Sequence, residues 1–166
     1  MTTAFFFITS TLLAILQTTW LANVALAGAR PDLVLIVLTL SAHTQGVQRG
    51  QVSGFLVGLV EDMMSMSPMG FHAVIRLSHS AIVGLTRGAV QTHPLFTPVL
   101  LVSVAWAVKH LTALLVARMT GVEGIAARLF TTATAIEFLL TVLAAPFVFI
   151  IVDRLRRRLD HGRRVS

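Results

Sequence analysis

Cysteine is absent from the 166-residue chain. The sequence therefore offers no disulfide framework, no thiolate zinc site and no cysteine nucleophile. Charged residues are also scarce, at 12% of the chain, whereas soluble proteins carry about a quarter. Hydrophobic residues make up 55% and the mean hydropathy is +0.84. This composition is typical of a membrane protein and leaves little sequence for an extramembrane domain.

Sequence signatures of catalysis are missing as well. The chain has no GxSxG nucleophile motif, no HExxH zinc motif and no nucleotide-binding loop. The polar residues within its apolar segments do not form a nucleophile and a base at a usable spacing. We therefore predict that the protein is not an enzyme and that it needs no cofactor or metal.

Apolar segments, separated by polar residues or by glycine and proline, predict an all-α polytopic membrane protein. The six candidate spans cover residues 4–26, 32–46, 50–66, 69–87, 95–118 and 129–152. The second and third spans reach only about 25 Å, less than the ~30 Å hydrocarbon core, so a tight or partly re-entrant hairpin, and with it a five-span arrangement, stays open. The first segment has no basic residue before its apolar run and is predicted to be a retained helix.

Basic residues predict the orientation, because Lys and Arg near span ends accumulate on the cytoplasmic side. Residues 1–153 are predicted to form one transmembrane domain, and residues 154–166 a basic cytoplasmic tail with affinity for anionic lipid. The tail arginines are Arg154, Arg156, Arg157, Arg158, Arg163 and Arg164. With six spans both termini are cytoplasmic. Nucleic acid is not an expected partner, because no aromatic residues interleave the basic cluster.

Glycines recur every four residues in the third span, at Gly50, Gly54 and Gly58, after Gly46 in the preceding turn. On a helix this spacing places them on one face and leaves a groove. Close van der Waals contact between such smooth faces is a principal source of helix association in lipid. Two interpretations stay open: the glycine face packs against another span of the same chain, or it receives a helix of a partner protein.

Two adjacent carboxylates, Glu61 and Asp62, end the third span. Charges near the membrane interface cost far less than charges at the bilayer centre. One interpretation is that these side chains cap the loop that follows. The other is a polar contact to Arg76, about two helical turns into the fourth span, which would join the outer ends of spans three and four.

Lys109 and Glu137 are each nine residues from an arginine of the same outer loop, which places both about 13 Å below that loop. An isolated charge at that depth is expensive, so we predict that the two side chains face the interior and interact. A proton or cation relay that also uses His110, His72 and His79 is the alternative. A metal site is not expected, because no third ligand of suitable type and spacing can be assigned.

Residues 29–74 carry a specific motif. Pro31 and Asp32 open the second span, and the pattern G-x-x-x-G-F-x-x-G-L-x-x-D follows with a glycine beyond the next loop. The matching residues are Gly50, Gly54, Phe55, Gly58, Leu59, Asp62 and Gly70. This region resembles the signature of the bacterial rod shape-determining protein MreD. Length, span count and basic tail agree along the whole chain, whereas the motif covers about forty residues.

The resemblance implies a non-enzymatic scaffold in the inner membrane that helps to organise peptidoglycan synthesis and cell shape. Members of this family associate with the bitopic protein MreC, and through it with the MreB filament, the RodA glycosyltransferase and a class B penicillin-binding protein. The resemblance also implies a fold similar to the S-components of energy-coupling-factor transporters. A subunit that binds or transports a vitamin or another small molecule is therefore the second hypothesis.

Overall fold

The structure, a computed structural model, describes residues 2–19, 29–65, 67–89, 93, 95–121 and 131–161. This part of the chain folds into α-helices: α1 Thr2–Thr19, α2 Leu33–Gln45, α3 Val47–Met64, α4 Phe71–Gly84, α5 Phe96–Thr120 and α6 Thr132–His161. Two of them, α5 and α6, are long and apolar enough to cross a membrane, and α1 and α2 are shorter apolar helices. The predicted all-α class is confirmed, and the count of six spans stays a prediction.

The short helix α2 is the centre of the fold. It contacts each of the other five described helices, and every residue from Val34 to His43 is buried. A helix that is apolar on all sides is suited to this position, because every face meets another protein surface. The predicted hairpin of short spans is thus a buried helix followed by a peripheral one.

The chain reverses between α2 and α3 at a single residue, Gly46, which has a φ of 85°. Glycine adopts this left-handed conformation without steric cost. Arg87, three residues after the end of α4, stabilises this turn. Its Nη1 donates a hydrogen bond of 2.7 Å to the carbonyl oxygen of Gln45. Gly46 therefore belongs to the turn, as expected from its place in the sequence.

The last helix continues past the predicted end of the membrane domain. The boundary between residues 153 and 154 falls inside α6, which ends at His161. Arg154, Arg156, Arg157 and Arg158 are therefore helical, and Asp153 accepts hydrogen bonds from two of them. The other two tail arginines, Arg163 and Arg164, lie outside the described residues.

Candidate functional site

The amino-terminal end of α2 lies inside the helix bundle, and Asp32 is its N-cap. The Asp32 side chain is buried and accepts a hydrogen bond of 2.8 Å from the backbone N–H of Leu35. It also meets Lys109, which lies near the middle of α5. The start of α2 is therefore at the level of the middle of α5, and this places a carboxylate deep among the helices.

Asp32 is the centre of a chain of five charged side chains that alternate in sign, here called the ion-pair network. Arg76 donates to both oxygens of Asp32, at 3.1 and 3.3 Å, and to both oxygens of Glu61, at 2.8 and 2.7 Å. Lys109 Nζ lies 2.8 Å from Asp32 Oδ2 and 2.7 Å from Glu137 Oε1. The network joins α2, α3, α4, α5 and α6.

Two of these contacts are among those expected from the sequence. The expected meeting of Lys109 with Glu137 is present, and of the two carboxylates at the end of α3 it is Glu61 that contacts Arg76. Sequence reasoning did not anticipate that Asp32 would bridge the two cations. The signal that could have indicated it is the position of Asp32 directly before an unbroken apolar helix, where a carboxylate needs cationic partners.

The network carries a net charge of −1, because it contains three carboxylates and two cations. Its centre is the most buried part: the side chains of Arg76 and Asp32 are 7% and 9% exposed, whereas those of Lys109 and Glu137 are 23% and 26% exposed. Removing one member of a buried pair leaves an uncompensated charge. Each member of the network therefore depends on its neighbours for charge balance.

Uncharged side chains satisfy the backbone around the buried end of α2. Gln17 of α1 donates to the carbonyl of Pro31 and accepts from the N–H of Val34, and Thr141 of α6 accepts from the N–H of Asp32. Non-helical backbone at membrane depth is tolerated only where such groups are paired within the protein. Gln17 thus brings α1 to the site that the other five helices share.

Asp62 has a separate role from its neighbour Glu61. Its carboxylate accepts hydrogen bonds from the backbone N–H groups of Gly70, His72 and Ala73, at 2.9, 2.8 and 3.2 Å. The His72 ring also lies 2.9 Å from Asp62 Oδ1. These N–H groups belong to the first turn of α4, which lacks a capping side chain of its own. Asp62 supplies that cap from α3.

The glycine face of α3 packs inside the same chain. A β-carbon at Gly54 would lie 2.6 Å from the carbonyl oxygen of Arg76, and one at Gly58 would clash with the backbone of Ala73 on α4. At Gly50 it would lie 2.9 Å from Ala42 of α2. The interpretation in which this face receives a partner helix is therefore wrong for this structure. Gly84 of α4, which sequence reasoning missed, approaches Val47 of α3 in the same way.

The two large residues of the motif lie elsewhere on α3. Phe55 is 40% exposed and Leu59 is partly exposed, whereas Gly54 and Gly58, which directly precede them, are buried. Val52, about one helical turn before Phe55, and Leu56, the next residue after it, are exposed as well. The motif thus places small residues toward α4 and a large apolar surface on the outside of the bundle.

The histidines do not form a relay with the network. His72 contacts Asp62, the ring of His110 donates from Nδ1 to the carbonyl of Trp106, and His79 is fully buried beside Ser80. Among the residues that the structure describes, no three histidine or carboxylate side chains form a group that could hold a metal ion.

A cavity of about 350 Å³ lies at the other end of α2, between α5 and the carboxyl-terminal half of α6. We call it the basic cavity, because Arg156 and Arg157 line it together with His43 and His93. No member of the ion-pair network lines it. The charged residues in the middle of the bundle therefore contact one another and do not surround this space.

Comparison with known protein families gives a match. The family model of the rod shape-determining protein MreD matches residues 1–157 of the chain. No curated protein and no solved structure matches it. The expected similarity to transporter S-components therefore stays a prediction.

Proposed function

We propose a function from one premise, that this chain belongs to the MreD family of rod shape-determining proteins. It is a membrane protein with a role in rod shape determination. Beyond this, we propose a non-enzymatic scaffold of the cell-elongation machinery in the bacterial cytoplasmic membrane, with several spans and both termini in the cytoplasm. Its partner is a bitopic protein of the MreC type, and through that partner it helps to organise peptidoglycan synthesis.

The ion-pair network is the observation that favours the scaffold function over the transport alternative. A substrate-binding subunit would need polar groups around a space that a ligand can enter. Here Lys109 contacts both Asp32 and Glu137 directly, and the guanidinium of Arg76 forms ion pairs with Asp32 and Glu61. Side chains that neutralise one another in this way hold helices in place. Such a bundle is suited to presenting a fixed outer surface to another protein.

The outer face of α3 supports a docking site for the partner's membrane helix. The glycine face is occupied by α4 and, at Gly50, by α2, so a partner has to use another surface. Val52, Phe55 and Leu56 form an exposed apolar patch that includes the motif residue Phe55. Association of helices in lipid depends on van der Waals packing, to which a large ring contributes many contacts. We therefore assign the partner's single transmembrane helix to this patch.

The test is co-purification of the full chain with MreC from detergent extracts. Phe55→Ala is expected to reduce recovery of the partner about tenfold, the loss that corresponds to about 1.4 kcal/mol at a central aromatic contact. Leu143→Ala, which truncates an exposed apolar residue of α6, is the matched control and is expected to leave recovery unchanged. Both variants should elute as the same monodisperse species before the pull-down.

Equal recovery of MreC with Phe55→Ala and with the unaltered chain would show that the patch on α3 is not the docking site. Failure of the unaltered chain to retain MreC would contradict the proposed partnership itself. Thermal stabilisation by a member of a vitamin panel would instead favour the small-molecule alternative, because a bound ligand stabilises the folded state.

A further inference from the structure

The basic cavity combines features that a phosphate-bearing lipid requires. Its wall contains Leu40, Phe149 and Ile150, which are apolar, and its polar lining includes Arg156 and Arg157. Its volume, about 350 Å³, falls within the range of small-ligand pockets, roughly 300–1,000 Å³. The cavity therefore has space for a headgroup and an apolar wall beside it.

The charge of the cavity is positive. The lining contains two arginines and one aspartate, and Asp153 accepts 2.7 Å hydrogen bonds from Arg156 Nη2 and from Arg157 Nε. A guanidinium has five N–H donors. Within the described part of the chain, the buried Nε of Arg156 has no acceptor. An oxyanion in the cavity would lie beside two guanidinium groups and would add negative charge to a lining that holds two arginines and one aspartate.

Helix dipoles do not decide the sign of the site. The first turn of α5 contributes Thr97 and Pro98 to the lining, and the last turns of α2 contribute His43 and Thr44. The positive end of one helix and the negative end of another thus face the same space, and their effects oppose each other. The local potential is therefore determined by the charged residues that α6 contributes to the lining, which are Arg156, Arg157 and Asp153.

The position of the cavity points to a lipid as the source of the anion. It adjoins the end of the apolar part of α6, where Phe147 and Ile151 are exposed on the outside of the helix. Arginines at such a junction place their charged groups toward lipid headgroups while their stems cover apolar surface. We propose that the basic cavity binds the headgroup phosphate of an anionic phospholipid, with Arg156 and Arg157 as the residues that contact it.

The experiment uses the full chain, purified in detergent and freed of lipid. Dioleoyl-phosphatidylglycerol and dioleoyl-phosphatidylcholine are titrated separately, and retained lipid is measured by native mass spectrometry. We expect phosphatidylglycerol to bind at least about fivefold more tightly, since each arginine near a headgroup contributes about that factor. Arg156→Gln and Arg157→Gln should each weaken phosphatidylglycerol binding by a similar factor.

Arg154→Gln is the matched control: Arg154 is exposed on the same helix, carries the same charge and does not line the cavity, so this change measures only the general attraction of the basic tail to anionic lipid. It should change binding less than about twofold. Arg157→Gln keeps the test valid if Arg156→Gln fails to fold, since the Arg157 side chain is 69% exposed. Equal weakening by all three variants, or equal binding of both lipids, would contradict a defined site. Inorganic phosphate that binds as well as phosphatidylglycerol would overturn the lipid assignment.

Discussion

Arg76 and Asp32 face each other through two hydrogen bonds, from Nη1 to Oδ2 at 3.1 Å and from Nη2 to Oδ1 at 3.3 Å. Both side chains are less than one tenth exposed. Paired N–H groups on one carboxylate fix direction as well as distance. Through this contact α4 is oriented against the start of α2, and the same guanidinium extends to Glu61 on α3.

Asp32→Asn is expected to destabilise the protein strongly. The amide cannot balance Arg76 and Lys109, and leaving buried charges uncompensated costs about 3–5 kcal/mol. Unfolding in mixed detergent micelles, followed by circular dichroism, measures the loss. Asp153→Asn is the control, because Asp153 also faces two arginines but lies at a more exposed position, where about 0–1 kcal/mol is expected. Similar losses for both variants would show that burial of the network contributes little.

Lys109→Met is expected to cost more stability than Glu137→Gln. Lys109 bridges two carboxylates, whereas the only hydrogen bond shown for the Glu137 side chain in the described residues is to Lys109. A double-mutant cycle of the two changes should give a coupling free energy of about 0.5–3 kcal/mol, because the variants share one contact. Strict additivity of the two losses would mean that the 2.7 Å contact contributes nothing in the folded protein.

Asp62→Asn is expected to loosen the first turn of α4. The carboxylate that accepts from three backbone N–H groups acts as an N-cap supplied by another helix, and loss of a cap costs about 0.5–2 kcal/mol. Hydrogen exchange should accelerate at Gly70, His72 and Ala73. Glu61→Gln serves as the comparison: it removes the neighbouring charge but leaves these amides capped, so their exchange should stay slow.

Gly58→Ala is expected to separate α3 from α4. The added methyl would overlap the backbone of Ala73, which cannot move aside without shifting α4, and overpacking of this kind costs about 1–3 kcal/mol. Val52→Ile also adds one carbon, on an exposed face of the same helix, and should leave the melting temperature unchanged. A stable Gly58→Ala variant would show that the glycine face tolerates a wider helix spacing.

The sequence was sufficient to predict the contacts that depend on depth along a helix. Lys109 and Glu137 could be paired because each lies nine residues along its helix from an arginine of the same loop, which places the two side chains at the same depth. The strict spacing of Gly50, Gly54 and Gly58 likewise predicted one packed face. Its partner could not be identified from spacing alone, because periodicity fixes the direction of a face only relative to its own helix.

The contacts of Asp32 were less accessible to sequence reasoning. Gln17 and Thr141, which satisfy the backbone beside it, are uncharged and lie 14 and 109 residues from the groups they bind. Nothing in their local sequence distinguishes them from other polar residues in apolar helices. The different roles of Glu61 and Asp62 also depend on tertiary structure, since adjacent helical residues point in different directions and only the position of α4 decides which meets its first turn.

The ion-pair network imposes an order on biogenesis. A ribosome makes Asp32 before any of the cations that neutralise it, with Arg76 following 44 residues later and Lys109 77 residues later. Until those residues emerge, the nascent helix α2 carries a carboxylate that lipid disfavours. We therefore expect stable burial of α2 to await the later helices, because a translation product that stops before α5 leaves Asp32 without Lys109.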